Sequence, residues 1–375
     1  MEKTNSNVFC VTWGNSQTLI PQDSTPPIDL TGNSLRQIVK ISIGGKKFRI
    51  KLSNIYGNDI LELKSISIAK SLGSGQIELD SIKTLNFENN ASIQLEKGTE
   101  VYTDIFDYTL ASGTEVAVSI YFGGVPQNLT GHIHSITNSF IAEGNAINEE
   151  KFPDEHKVAH WYFISSIEVI SDNNNVKGLV CFGDSITDGR FSSLDRQERW
   201  PDFLFKKFAD QKINIAVNNQ GLSGTSLTTH GVGRFDRDVM GQNGVKYLIV
   251  FYGINDITKL NKSENEIIDE YKKIIEIAHK KNIIVLGATL TPFKGYRLYN
   301  EERNKIRIKI NEWIRNFGKN KNGFDCVIDF DLIIRDRNDK DKIIEEFNSG
   351  DSAHLNSAGY KKLVEAFNDL SIFKN

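Results

Sequence analysis

The tripeptide Gly-Asp-Ser occurs twice in this 375-residue chain, at Gly183-Asp184-Ser185 and at Gly350-Asp351-Ser352, and His354 follows the second copy closely. Serine, aspartate and histidine are the groups with which many proteins carry out nucleophilic acyl transfer: the serine attacks, and the histidine takes its proton. The repeat therefore raises the question of which serine, if either, could be a nucleophile.

The first copy follows an apolar run at residues 177–182 that predicts a buried strand. Glycine allows a sharp turn directly after such a strand. Ser185 would then lie at the strand end, where backbone N–H groups are free to face an anion. A serine that caps a helix would show the same pattern, so the tripeptide alone leaves both interpretations open.

The second copy offers an acid–base pair, because Asp351 and His354 are three residues apart. Asp351 could accept a hydrogen bond from one imidazole nitrogen, which would leave the other nitrogen of His354 to act as a general base. The alternative is a loop histidine with an acidic neighbour by chance.

Two further strand ends carry candidate donors for a developing oxyanion. Gly224 lies in a glycine-containing loop after a predicted strand at residues 214–218, and Asn255 follows another at residues 247–252. A backbone N–H and a side-chain amide can both stabilise negative charge without a proton equilibrium. A plain turn at Gly224 and a helix N-cap at Asn255 are the alternatives. Asp256 is interpreted as a cap or a structural support.

The elements around these residues predict an α/β domain. Apolar strand-like runs alternate with amphipathic helical runs from residue 177 onwards. This alternation is typical of a parallel sheet covered by helices on both faces, a three-layer α/β/α domain. Ligands bind beyond the carboxyl ends of the strands in such sheets, so the candidate residues should converge. The predicted helices are residues 200–208, 264–280, 300–317 and 357–370, and the other predicted strands are residues 283–290 and 325–330.

The first part of the chain has a period of two instead. Residues 38–52 read as a hairpin with Gly44-Gly45 at its turn. Further strand-like runs lie at residues 61–69, 93–95, 115–122, 132–140 and 161–170. The pattern predicts an antiparallel β-sandwich or jelly roll. A polar segment at residues 171–175 divides the chain into an accessory domain at 1–172 and a catalytic domain at 173–375.

Composition excludes several classes of partner. The formal net charge of −3 does not suggest a nucleic-acid partner, which would normally need a basic face. Three widely spaced cysteines indicate neither a disulfide framework nor a metal site, and no cofactor is predicted. No apolar run reaches the 18 residues of a membrane span. The N-terminus shows no signal peptide, which predicts a cytoplasmic protein, or a secreted one if a leader had been removed. The oligomeric state is not indicated.

Taken in order, four short blocks resemble the SGNH (GDSL) hydrolases over residues 177–370. They are Gly183-Asp184-Ser185, Gly224, Gly253-x-Asn255-Asp256 and Asp351-x-x-His354. Further segments resemble the acetylxylan-esterase-like branch, in which a β-rich region precedes the hydrolase domain. These are Trp13-Gly14, Leu35-Arg36-Gln37, Arg199-Trp200-Pro201, residues 234–238, residues 287–292 and residues 329–331.

The resemblance implies roles for particular residues. Ser185 would be the nucleophile and His354 the base that Asp351 orients. The Ser185 N–H, the Gly224 N–H and the Asn255 side chain would form the oxyanion hole. Four other residues are candidates for substrate binding or support: Asp184, Trp200, His230 and Asp256.

The implied reaction is hydrolysis of a carboxylic ester through an acyl-enzyme, with O-acetyl groups on xylan or xylo-oligosaccharide as the expected substrate. Two alternatives stay open. One is a lipid or thioester acylhydrolase, and the other is a carbohydrate-binding protein without catalysis. The expected partner is a small ester or an acetylated oligosaccharide.

Overall fold

The computed structural model describes residues 8–170, 176–317 and 323–374. The chain separates into two compact units, Met1–Val176 and Lys177–Asn375. The predicted domain boundary between residues 172 and 173 lies outside the described residues. No helix among the described residues is both long enough and apolar enough to cross a membrane.

The first unit is built from antiparallel strands, and its only regular helices in the described part are the 3₁₀ turns Gln22–Ser24 and Leu79–Ser81. Its strands are β1 (Phe9–Gly14), β2 (Thr18–Leu19), β3 (Asn33–Lys40), β4 (Gly45–Ser53), β5 (Leu61–Gly73), β6 (Gln76–Ile77), β7 (Lys83–Leu85), β8 (Ile93–Leu95), β9 (Glu100–Tyr102), β10 (Phe106–Leu110), β11 (Glu115–Gly124), β12 (Thr130–His132), β13 (Ser139–Glu143), β14 (Trp161–Tyr162) and β15 (Ile164–Ile170).

These strands form three sheets. One has the order β1-β15-β4-β10 with β9 beside β4, and the second has the order β13-β3-β11-β5-β6 with β7 and β8 beside β5. The short strands β14, β12 and β2 make the third. The prediction of an antiparallel, β-rich first region is confirmed. The jelly-roll arrangement stays a prediction.

The predicted hairpin across Gly44-Gly45 is wrong, because β3 and β4 belong to different sheets. Between them the Ile41 N–H donates to the Thr114 carbonyl at 3.0 Å. Gly44 lies so close to the end of β10 that a Cβ there would sit 2.2 Å from the Leu110 carbonyl oxygen. The two runs have the right period for strands, but period two does not say which strands pair. The predicted strand at residues 132–140 likewise divides into β12 and β13 of separate sheets.

The second unit is the predicted α/β domain, with one parallel sheet. Its strands are β16 (Lys177–Gly183), β17 (Ile215–Gly221), β18 (Val245–Phe251), β19 (Ile284–Ala288) and β20 (Cys326–Ile328). Its helices are α1 (Ser185–Asp188), α2 (Trp200–Asp210), α3 (Val232–Phe235), α4 (Ile254–Thr258), α5 (Glu264–Lys280), α6 (Glu301–Phe317), α7 (Phe330–Ile334) and α8 (Ser357–Leu363). The π-helical turns Leu227–Gly231 and Asp236–Met240 flank α3, and 3₁₀ turns span Glu345–Phe347, Val364–Ala366 and Ser371–Phe373.

The best example of sequence-encoded structure in this unit is α5. Ser263 accepts from the Glu266 N–H, and the Glu266 carboxylate accepts from the Ser263 N–H at 2.9 Å, which forms a capping box. Its buried residues recur at helical spacing, so burial of one apolar stripe holds the helix on the domain core. They are Ile267, Ile268, Tyr271, Ile274, Ile275 and Ala278.

The strand order, β17-β16-β18-β19-β20, fixes where a ligand could bind. The chain places β17 on one side of β16 and β18 on the other, so the connections leave the sheet in opposite directions. Such a reversal opens a crevice at the carboxyl ends of the central strands. Those ends are where the candidate nucleophile and the candidate oxyanion donors lie.

Candidate active site

The nucleophile candidate sits in a tight strand-to-helix turn. The Asp184 carboxylate accepts from the Ile186 N–H at 3.1 Å and caps α1. A Cβ at Gly183 would lie 2.1 Å from Thr187 Oγ1 and 2.5 Å from the Phe251 carbonyl oxygen, so only glycine fits this crossing. The turn therefore places Ser185 at the end of β16 as the first residue of α1.

The second Gly-Asp-Ser turn supplies the partners of Ser185. The Ser185 Oγ lies 2.7 Å from His354 Nε2, and His354 Nδ1 lies 2.6 Å from Asp351 Oδ2. With Asp351 accepting from Nδ1–H, Nε2 is the nitrogen available to take the hydroxyl proton. The structure thus brings together three residues that are up to 169 positions apart in the chain.

The Asp351 carboxylate is held by its own loop. Its Oδ1 accepts from the Ala353 N–H at 2.9 Å and from the His354 N–H at 2.8 Å. Partial burial alone would raise the pKa of Asp351, but the hydrogen bonds from the His354 ring and from these two amides hold that pKa well below its ordinary value. Asp351 is therefore ionised at neutral pH and can orient and stabilise an imidazolium.

Three N–H donors remain beside this pair. Within the described part of the chain neither the Ser185 N–H nor the Gly224 N–H has a hydrogen-bond partner. Gly224 has a φ of +82°, a conformation that favours glycine. The Asn255 amide nitrogen donates to the Thr225 carbonyl at 2.8 Å, which fixes the group and leaves its second N–H. Ser185, Gly224 and Asn255 all line one cleft, so these three donors are available to a developing oxyanion.

Two buried aspartates, Asp184 and Asp256, hold the backbone next to the candidate site. Asp256 accepts from the Leu227 N–H at 2.7 Å and from the Thr228 N–H at 2.8 Å, so it anchors the segment that follows Gly224. Burial raises the pKa of Asp256 in spite of these donors, and it raises the pKa of Asp184 to about 6. Among the described residues no group of three or more His, Cys, Asp and Glu side chains could hold a metal ion.

Two of the predicted support residues lie outside the cleft. Trp200 is fully buried, with its ring 5.5 Å from that of Phe330. It is a core residue at the start of α2, where its large apolar area is best placed. The His230 ring contacts Thr229 at 2.8 Å, on an exposed turn. Neither residue lines the cleft.

Arg234 organises the strand ends that carry the site. It is buried, and its guanidinium donates to the Gln220 carbonyl at 2.9 Å and to the Gly183 carbonyl at 2.8 Å. It also pairs with Asp238 at 2.8 Å. The ends of β16 and β17 are thereby fixed to one another, a role that the sequence pattern alone did not indicate.

The cleft itself has a volume of about 400 Å³. Its lining includes Ser185, Gly224, Asn255, Asp351 and His354, and also a set of residues that sequence reasoning missed. The missed residues are Arg190, Lys259, Gly295, Tyr296, Arg297 and Gly350. A signal for them existed, because Lys259 follows Asn255 by one helical turn and residues 295–297 follow β19. Cations near strand ends are therefore worth considering alongside nucleophiles and neutral donors.

A comparison with protein families agrees with this geometry. A model of the GDSL-like Lipase/Acylhydrolase family matches residues 181–362. No curated protein matches the chain.

Solved structures similar to this chain include a putative lipolytic protein of the G-D-S-L family from Desulfitobacterium hafniense DCB-2, with 25% identity, a TM-score of 0.42, and coverage of 51% of this chain and 97% of that one. A family 3 carbohydrate esterase from Clostridium thermocellum has 18% identity and a TM-score of 0.42, and the match covers 53% of this chain and 98% of the esterase. A catalytic mutant of an acetylxylan esterase from Geobacillus stearothermophilus has 17% identity and a TM-score of 0.41, and the match covers 51% of this chain and 92% of that mutant.

The matched family segment, residues 181–362, runs from the strand before Ser185 to the helix after His354 and so contains every residue of the candidate site. The similarity to the GDSL-like lipase/acylhydrolase family is therefore shown for this segment of the second unit.

Proposed function

We propose that the second unit hydrolyses esters of short acyl groups through an acyl-enzyme on Ser185, and that its substrates are O-acetyl groups on carbohydrate. One observation carries this choice: the cleft beside Ser185 and His354 is lined by polar and charged side chains, glycines and Tyr296, and by no aliphatic side chain of the described residues. A long acyl chain needs an apolar wall, whereas an acetyl group on a hydrated sugar does not.

In the first half-reaction Ser185 Oγ attacks the carbonyl carbon while its proton passes to His354 Nε2. The C=O electron pair moves onto oxygen, where the Ser185 N–H, the Gly224 N–H and the Asn255 amide donate to it. The C–O bond to the alcohol then breaks, and the leaving oxygen takes the proton from Nε2.

In the second half-reaction a water molecule attacks the acyl carbon and gives a proton to Nε2 of His354. The ester bond to Ser185 breaks, and Oγ recovers the proton as the acid leaves. Asp351 stays ionised throughout, because its pKa is low, and it stabilises the transient imidazolium. Each oxyanion donor contributes about 10²–10³ in rate in sites of this kind.

A second candidate is a lipid or thioester acylhydrolase, and an apolar rim favours it. Phe191 has 47% of its surface exposed and packs with its edge against His354, at 5.5 Å between ring centroids. Leu194, three residues further on, is 51% exposed. An acyl chain could lie over this rim. A binding protein without catalysis is disfavoured, because the hydrogen-bonded Ser185, His354 and Asp351 would serve no purpose in it.

One experiment tests the proposal in two stages. A serine-directed organophosphonate should label the native protein and the Ser352→Ala variant but not Ser185→Ala. Acetyl, butyryl and octanoyl 4-nitrophenyl esters and acetylated xylo-oligosaccharides are then compared by kcat/KM. Absence of labelling would overturn the esterase proposal. A clear preference for octanoyl esters would replace the acetyl carbohydrate with the lipid candidate.

A further inference from the structure

Three cations line the cleft. Arg190, Lys259 and Arg297 all belong to its wall, and each is exposed to solvent. Asp351 is the one carboxylate among the lining residues, and its charge is engaged by His354. The cleft therefore carries a positive charge before any ligand binds, although the chain as a whole has a net charge of −3.

These cations differ from the structural arginines of the same unit. Arg234 and Arg307 are buried and pair with Asp238 at 2.8 Å and Asp331 at 2.7 Å. Arginines that serve the fold are therefore neutralised by aspartates in this domain.

In the described part of the chain no carboxylate forms an ion pair with Arg190, Lys259 or Arg297. The Arg190 guanidinium lies 5.1 Å from the centre of the Phe191 ring, and Lys259 Nζ donates to the Gly224 carbonyl at 3.2 Å. Arg190 and Lys259 thus contact neutral groups in place of an ion-pair partner.

Both arginines, Arg190 and Arg297, are close enough to Lys259 to affect its charge. Partial burial lowers the pKa of Lys259, the buried Asp184 opposes that change, and both Arg190 and Arg297 lower it further. Like charges that converge on a cleft repel one another, which is unfavourable for folding. A negative group bound between them would relieve the repulsion and would form charge-assisted hydrogen bonds.

A role for these cations in the oxyanion hole alone is less satisfactory. The N–H groups of Ser185, Gly224 and Asn255 are already available to the oxyanion. Three additional cations are not needed to stabilise its single negative charge. Lys259 does contact Gly224 and so also positions one donor. Arg190 and Arg297 have no such link, which makes them the more informative pair to alter.

We propose that the substrate carries an anionic group, a carboxylate or a phosphate, near the scissile ester, and that Arg190, Lys259 and Arg297 bind this group. The proposal rests on the esterase function proposed above and narrows its substrate class to acidic esters. For carbohydrate, the matching compounds are acetylated uronic acids or acetylated sugar phosphates.

The decisive comparison uses substrates that differ by one charge. Acetate release is measured from an O-acetylated uronic-acid oligosaccharide, from the same oligosaccharide as its methyl ester, and from an acetylated sugar phosphate. The native protein should prefer an anionic substrate to the neutral methyl ester by about tenfold or more in kcat/KM, since three cations would each form a charge-assisted contact with the anion. The anionic substrate with the higher kcat/KM shows whether the cations bind a carboxylate or a phosphate.

The variants Arg190→Gln and Arg297→Gln test where the preference comes from. Each should reduce the anionic-to-neutral ratio of kcat/KM by about two- to fivefold, the contribution of one exposed charge-assisted contact. The matched control is Lys206→Gln, which removes one charge from an exposed position on α2 outside the cleft and should keep the native ratio. An equal loss on both substrates would assign the cations to the oxyanion and overturn the proposal.

Binding keeps the proposal testable apart from catalysis. The Ser185→Ala variant is titrated calorimetrically with the deacetylated uronic-acid oligosaccharide, with its methyl ester, and with inorganic phosphate. Tighter binding of an anion, weakened by salt, supports the cation site even if no ester is hydrolysed and the esterase proposal fails. Equal binding of the acid and its methyl ester, together with no binding of phosphate, overturns the site even if neutral acetyl esters are hydrolysed well.

Discussion

The two Gly-Asp-Ser turns begin from the same local contact. In the first, the Asp184 carboxylate accepts from the Ile186 N–H at 3.1 Å, and in the second, the Asp351 carboxylate accepts from the Ala353 N–H at 2.9 Å. Each aspartate thus holds the backbone N–H two residues ahead, a common use of aspartate in turns. The Gly-Asp-Ser tripeptide by itself therefore determines only this local contact.

The surroundings then separate the two aspartates. Asp184 is 2% exposed at the end of a central strand, and burial raises its pKa to about 6. Asp351 lies on the rim of the cleft with the His354 ring against it, and hydrogen bonds lower its pKa despite its partial burial. Identical tripeptides therefore hold one carboxylate that resists ionisation and one that favours it, because position in the fold decides which neighbours each has.

The largest expected difference concerns the two serines. Ser185→Ala should lower kcat by about 10⁴–10⁶, because the nucleophile is lost. Ser352 has a φ of +64°, and its hydroxyl lies 3.5 Å from the Asn348 amide nitrogen, outside the Ser185–His354 contact. Ser352→Ala should keep kcat within about twofold. Initial rates per mole of folded protein, with circular dichroism to check folding, measure both. A large loss in Ser352→Ala would show that the second turn does more than present Asp351.

The two aspartates should differ next in their effect on rate. Asp351→Asn removes the acceptor that fixes the tautomer of His354, and a change of this kind lowers kcat by about 10⁴ in serine proteases. Asp184→Asn retains an oxygen that can accept from the Ile186 N–H, so the turn should keep Ser185 in place and kcat should fall by less than about tenfold. Single-turnover rates measure both, with circular dichroism to check folding. If both variants lost activity equally, the contrast between the turns would be wrong.

The sequence predicted the sheet of the second unit better than the sheets of the first, and the reason is physical. A continuous apolar strand followed by a polar residue determines both the parallel sheet and the edge at which Ser185 and Asn255 emerge. In the antiparallel unit, period two predicted strands such as β5 and β8 well, but it could not say that β3 and β4 join different sheets. Strand pairing there depends on long-range contacts that no local pattern carries.

Within the site, the sequence predicted residues whose chemistry is specific and missed those whose chemistry is common. Serine, asparagine and an Asp-His pair at strand ends are rare enough to stand out. Arg190 and Arg297 resemble any exposed arginine in sequence, and only the cleft shows that they converge. Trp200 and His230 are predicted as candidates for substrate binding or support, and neither lies in the lining of the cleft: Trp200 is buried, and His230 lies on a separate exposed turn.

The two aspartates should also give opposite pH dependence of stability. The folded-state pKa of Asp184 is raised from 3.8 to about 6, so the native protein holds this proton more tightly than the unfolded chain. Stability is then lost as the pH rises from about 4 to about 6, by on the order of 3 kcal/mol. Asp184→Asn does not ionise, so relative to the native protein it should become more stable across that interval.

Asp351 has the opposite sign. Its folded-state pKa lies below the ordinary 3.8, so its contribution to stability is present above about pH 4 and is lost as the pH falls further. Asp351→Asn should therefore become relatively less stable as the pH rises from 3 towards 5, and its difference from the native protein should then level off. Urea unfolding at a series of pH values measures both variants. Slopes of the same sign for the two would refute the assignment of opposite environments.

The smallest contrast concerns the two glycines, and it tests packing rather than charge. Gly183→Ala would place a methyl group 2.5 Å from the backbone carbonyl oxygen of Phe251, which cannot move without shifting β18. Gly350 has a φ of +106° but no atom within 4 Å of the position that a Cβ would take, so alanine there is strained only by its backbone.

The expected destabilisation is about 3 kcal/mol for Gly183→Ala, from overpacking, and about 1–2 kcal/mol for Gly350→Ala, from the left-handed conformation. Gly98→Ala is the matched control, because Gly98 has a φ of +76° and also no atom within 4 Å of the added Cβ. Urea unfolding should rank Gly183→Ala as the least stable and the other two close together. Equal destabilisation of all three would mean that β18 yields to the added methyl group, and the rigid crossing that presents Ser185 would then have to come from the Arg234 hydrogen bond to the Gly183 carbonyl instead.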